Sequence, residues 1–125
     1  RGMALNKSTW QILSLSSLNA STESSLSSCS TIDLSSTIQL ALTVEAQYAS
    51  NASHPVQLRI YTAQSDWADV DTAPYGYFDN ELATGSTARV TVPICPDPKY
   101  MRVTVLNQDS KAVSNVKVYA TQGTV

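Results

Sequence analysis

Apolar side chains recur at every second residue through much of this chain. Ile38, Leu40, Leu42, Val44 and Ala46 alternate with other residues, and so do Val56, Leu58 and Ile60. Ala88, Val90 and Val92 repeat the spacing, followed by Met101, Val103 and Val105, then Val116, Val118 and Ala120. A period of two is that of a strand with one buried face. The spacing predicts strands over 38–47, 56–62, 88–93, 100–107 and 113–121, the last two forming a closing hairpin. Shorter strands are expected at 10–15, 30–34 and 75–78. In the first of these Trp10, Ile12 and Ser14 fall on one side and Leu13 and Leu15 on the other. Apolar residues on both faces predict pairing with another chain or a place between layers.

About seven or eight short strands bounded by turn residues predict an all-β fold. The expected architecture is a two-layer antiparallel β-sandwich, immunoglobulin-like or jelly-roll, with an extended N-terminal arm. The 125 residues suit one core. Residues 30–125 are expected to be the sandwich and 1–29 an N-terminal strand with a Ser-rich arm. The arm has too few apolar residues for a second core and could order against an adjacent subunit.

Charge narrows the partners. The net charge is -2, and only 14% of residues are charged. Lys and Arg are scattered singly, so the concentrated positive field that displaces counterions from nucleic acid is missing, as is the one that binds anionic membranes. No apolar run approaches the roughly 20 residues that span a bilayer. Ser and Thr make up about a quarter of the chain, well above ordinary usage. Hydroxyls keep a surface wet without charge, which suits side-by-side packing of copies or an extracellular medium.

Candidate chemistry is sparse. Asp66, Asp69 and Asp71 could give calcium three oxygen ligands, but their spacing departs from the EF-hand ladder and its Gly is missing. Asp side chains also build turns by accepting backbone N–H groups, the reading favoured here. His54 is the sole histidine and lies in a turn before Pro55; no serine sits in a Gly-X-Ser-X-Gly elbow that would make it a nucleophile's base. The carboxylates crowd one loop rather than flanking a cleft, which argues against glycoside hydrolysis. No enzyme activity and no cofactor are expected. Cys29 and Cys95 could close a long loop with a bridge contributing up to about 4 kcal/mol, or remain reduced. An ample core favours the reduced state. Trp10, Trp67 and Tyr77 are the expected contact residues, since Trp and Tyr anchor interfaces or stack on sugars.

Ser65-Asp66-Trp67-Ala68-Asp69-Val70-Asp71-Thr72-Ala73-Pro74-Tyr75 is followed by Pro98-Lys99-Tyr100-Met101-Arg102-Val103-Thr104-Val105-Leu106-Asn107 and the ending Val113-Ser114-Asn115-Val116-Lys117-Val118. Together these resemble small β-sandwich structural proteins encoded in tailed-phage and prophage virion modules, over roughly Ile38 to Thr121. Ala68 stands where such loops often carry Gly. The resemblance implies a non-enzymatic structural protein at a virion surface, a bacteriophage capsid decoration or cement subunit, or a tail or neck component. The implied partners are virion structural proteins and further copies in a homo-oligomer, with no nucleic acid or membrane. Two other expectations remain open: an extracellular carbohydrate-binding or adhesive module, and a filament subunit assembling by strand addition.

Overall fold

The computed structural model describes residues 4–65, 67 and 69–125. Eight strands follow one another: β1 (Asn6–Leu18), β2 (Ile32–Asp33), β3 (Thr37–Gln47), β4 (Val56–Ala63), β5 (Gly76–Asp79), β6 (Thr87–Ile94), β7 (Tyr100–Asn107) and β8 (Val113–Thr124). They form two antiparallel four-stranded sheets, a first in the order β1-β8-β3-β6 and a second in the order β2-β7-β4-β5. The pairs β4·β5, β3·β6, β2·β7 and β1·β8 are nested like one long hairpin rolled over itself, falling alternately in the two sheets. That order selects the jelly roll from the two expected sandwich types.

The alternation does what it predicted for the core. Leu42, Val44, Val116, Val118 and Ala120 point inward from the first sheet and meet Val56, Leu58, Ile60, Met101, Val103 and Val105 from the second, all fully buried. Burying each large side chain contributes about 1.5–3 kcal/mol. The two-sided pattern of β1 has a local cause. Gln11 opposes Tyr119 and Leu13 opposes Val118, so Ile12 is an extra residue in a bulge. The inserted residue shifts the phase, and Ile12 and Leu13 are both buried although adjacent. Strand β1 therefore needs no second chain to cover its apolar residues.

The segment expected as an arm lies within this sandwich. β1 pairs with β8 along almost its whole length, and Leu18 and Cys29 join Ile12 and Leu13 in the core. The connection after it runs along β7: Asn107 N–H donates to Thr22 O, Ser24 N–H donates to Val105 O, and Val105 N–H donates to Ser24 Oγ. A single 3-10 turn at Leu26–Ser28 leads on to β2. Low hydrophobicity concealed this role, because an edge-sealing segment is held by its backbone rather than by apolar side chains.

The closing hairpin is also corrected: β7 and β8 lie in different sheets. Between them Asn107 acts as a staple. Its Nδ2 donates to Leu18 O, Asn19 O and Lys111 O, and its Oδ1 accepts Asp109 N–H. The turn is thereby tied to the end of β1, and the chain crosses from one layer to the other. Periodicity identifies a strand's buried face but not its neighbour.

The register gives the molecule two poles. Connections 19–22, 48–55, 80–86 and 108–112 gather at one, which we call the turn pole. The opposite pole holds residues 4–5, the 34–36 turn, the 64–75 loop, the 95–99 crossing and Val125.

Candidate interaction surface

The three expected contact aromatics do not converge. Trp10 lies opposite Ala120 near the open edge of the first sheet and donates its indole Nε1–H to Gln122 Oε1 at 2.6 Å. Trp67 sits in the 64–75 loop with a left-handed backbone (φ 58°), half-buried, with the Arg102 guanidinium 4.9 Å from its ring centroid. Arg102 is on β7 beside Tyr61 of β4, so Trp67 caps the second sheet's outer face. Tyr77, 66% exposed, lies on β5 opposite Arg59 and shares that face. Trp67 and Tyr77 thus belong to one surface and Trp10 to another.

Between Trp67 and Tyr77 the second sheet is latched. The Glu23 carboxylate accepts from Arg59 Nη1 at 3.2 Å, Tyr61 Oη at 3.2 Å and Thr104 Oγ1 at 2.5 Å. Burial, and then the Glu23 charge, push the Tyr61 phenol upward from its ordinary value. This network fastens the β1–β2 connection to three positions across the sheet.

The acidic loop uses its carboxylates internally. Asp69 Oδ1 accepts from Gln64 N–H, Ser65 N–H and Ser65 Oγ, and the Ser65 N–H foremost holds it below the usual carboxylate range. Asp71 accepts from Thr62 Oγ1 at 2.8 Å and returns its N–H to Thr62 O. Asp66 lies outside the described residues. Among the described residues no group of three His, Cys, Asp or Glu side chains could hold a metal ion.

His54 has Ser53 Oγ 3.1 Å from its Nδ1, and Asp109 is close by. The arrangement is nevertheless that of a turn. Asp109 accepts Ser53 N–H and Oγ–H, His54 N–H and Ser110 N–H, while its carboxylate leaves the imidazole unbonded. A base oriented for catalysis needs its ring held by the carboxylate.

Cys29 and Cys95 are both free. Cys29 is buried; its thiol donates to Ser30 O and accepts Val103 N–H, and burial raises its pKa to about 11. Such a thiol is inert at neutral pH. Cys95 is exposed just beyond β6. Tyr75 lies close enough to interact with it, and burial, then the proximity of Cys95, raise the Tyr75 phenol. Cys29 lies beside β7 and Cys95 follows the opposite edge strand of the sandwich, so no bridge joins them.

Exposed apolar surface is concentrated at the pole opposite the turns. Leu5, Ile38, Tyr75 and Val125 all project there, Ile38 and Val125 at 54% and 55% exposure. The alternation predicted a buried Ile38. A register shift between Thr37 and Gln39 makes Ile38 the extra residue of a second bulge, which turns it outward. A groove of about 400 Å³ opens beside it on the first sheet, lined by Ile38, Lys7, Gln39, Pro93, Ile94 and Pro96. At its base is Gly123, where a Cβ would meet Leu5 and Gln39 side-chain carbons at 3.2 Å. Sequence reasoning missed this surface because Ile38 keeps the every-second-residue spacing of Leu40 and Leu42, so this bulge is hidden in the hydrophobic pattern. Only the unusual pair of apolar residues flanking the ladder ends, Leu5 and Val125, hinted at it.

The architecture so defined is a small jelly roll with an apolar pole and a polar one. No family model and no curated protein matches the chain. Solved structures similar in shape include two assembled proteins. One belongs to Bacillus endospore appendages, described as a novel family of disulfide-linked pili; it is 15% identical over 98% of this chain and 86% of its own, with a TM-score of 0.41. The other is PRD1 vertex protein P5, 13% identical over 97% of this chain and 96% of its own, with a TM-score of 0.48. At these values neither likeness bears on what this chain does. No helix among the described residues is long and apolar enough to cross a membrane.

Proposed function

We propose that this chain is a non-enzymatic structural protein of a virus particle, a phage capsid decoration or cement subunit that docks through its apolar pole. The observation that carries the docking pole is the clustering of Leu5, Ile38, Tyr75 and Val125 at one end, against connections at the other that expose no large apolar side chain. Apolar side chains gathered in one patch mark contact sites, whereas singly scattered ones do not. The virion assignment rests on the resemblance of the 65–75 loop and the β7 and β8 segments to virion β-sandwich proteins. The described side chains suit this role, since His54, Asp69, Asp71 and Asp109 are engaged in turn geometry.

Cosedimentation with particles purified from the natural source tests the reading. Ile38→Glu is expected to abolish incorporation, because it places a charge in the buried contact. Lys111→Glu, at the turn pole, is expected to leave it intact. A chain found only free of particles in its source would overturn the virion role. Equal incorporation of both variants would overturn the apolar pole as the docking site.

A further inference from the structure

The four sheet edges differ in how they are closed. β6 carries Pro93, which offers no N–H to a ladder. β5 is only four residues long. Beyond the two-residue β2, the edge of β7 is taken by Glu23 and Ser24. β1 is thirteen residues long, and at Ile12 the connection to β2 reaches it, Ser30 N–H donating to Ile12 O at 2.8 Å. From Asn6 to Gln11 no described residue pairs with its free side. That stretch has no Pro and one charge, Lys7. Exposed edges of this kind are templates for strand pairing, and natural proteins ordinarily block them.

We propose that Asn6–Gln11 pairs antiparallel with the same stretch of a second copy, joining two first sheets into one continuous eight-stranded sheet. A two-fold axis normal to the sheet keeps each face on its own side, so opposed residues must be an even number apart. Centred on Thr9, the register sets Thr9 against the partner's Thr9, Lys7 against the partner's Gln11 and Ser8 against the partner's Trp10. Thr–Thr is a favourable cross-strand pair. The two ammonium groups stand apart by about four residues, roughly 14 Å at 3.4 Å per residue, beyond the screening length of physiological salt. A second copy suits this edge because the symmetric register faces its single charge with a neutral amide.

The pairing deepens the structural reading above by naming a partner, and it is tested on purified chain, independently of any particle. Five opposed positions make a contact well below the roughly 1,600 Å² of a standard interface, so the dimer forms as concentration rises and is reinforced within an assembly.

Sedimentation velocity from micromolar to millimolar concentration is expected to show twice the chain mass at the upper end. Thr9→Lys opposes like charges across the axis and is expected to weaken dimerisation several-fold, with circular dichroism confirming that the variant is folded. In a Cys95→Ser background, Thr9→Cys is expected to give a covalent dimer on mild oxidation, since directly opposed Cβ atoms approach disulfide range. Gln11→Cys, which faces Lys7, is expected to cross-link far less. A monomer throughout, a dimer indifferent to Thr9→Lys, or equal cross-linking at both positions would overturn the proposal. A monomeric chain that still joined particles would overturn the pairing alone, leaving the structural role in place.

Discussion

Asp109 shows how much one side chain can fix. Although its residue is almost wholly buried, its carboxylate finds the Ser53 N–H, then those of His54 and Ser110, and these donors depress its pKa from 3.8 to about 2. A folded-state pKa below the unfolded value stabilises the fold above about 4, and that contribution is lost as pH falls through about 2. Asp109→Asn is therefore expected to lower the urea midpoint at pH 7 and to differ little from the parent chain near pH 2. An equal difference at both pH values would show that shape rather than charge holds this turn. In the core the measure is volume: Leu58→Ala, at a fully buried position, is expected to cost about 2–5 kcal/mol in the same assay. Ile38 is the counterexample at this scale. Its chemistry is that of its buried neighbours Leu40 and Leu42, yet one inserted residue reverses its direction.

Strands were more legible than their partnerships. β7 matches its expected range of 100–107, and β3 and β4 begin or end within one residue of theirs, because each presents a single face to the core and its period records that face. What escaped was everything decided between elements: the bulges at Ile12 and Ile38, the crossing between β7 and β8, and the integration of β1. The candidate surface was legible to the same degree. Trp67 and Tyr77 stand out by residue type, whereas the apolar pole depends on a bulge and on which ends of which strands meet. The place of β1 can be checked by truncation. Without residues 1–18, β8 loses one of its two partners and Ile12, Leu13 and Leu18 leave the core. The truncated chain is expected to lose cooperative thermal unfolding. A sharp transition retained by that fragment would make β1 dispensable. The β1–β2 connection tests more gently, since only Glu23 ties it to Arg59, Tyr61 and Thr104. Glu23→Ala is expected to speed hydrogen exchange at Ser24 and Val105 while leaving the amides of β3 and β8 protected.

On the scale of the whole molecule, polarity separates the two ends more sharply than charge does. Among the described residues two ion pairs form, Arg89 with Glu45 and Arg59 with Glu23, and the remaining charges are scattered singly. An assembly contact made by Leu5, Ile38, Tyr75 and Val125 would remove apolar surface from water and few formal charges. Such a contact carries a negative heat-capacity change and depends little on ionic strength, because salt screens charges and leaves apolar burial intact. Docking through the latched face of the second sheet would behave differently. There Arg59, Arg102, Glu23 and Asp79 surround Trp67 and Tyr77, and added salt would weaken charge-guided association. Calorimetric titration of the chain onto particles at several temperatures and two ionic strengths separates the two routes. Affinity is expected to change little between low and physiological salt while the binding enthalpy becomes steadily more favourable on warming. A steep loss of affinity with salt and a flat enthalpy would move the docking site to the face carrying Tyr77. Tyr77→Ala would then impair binding more than Ile38→Glu.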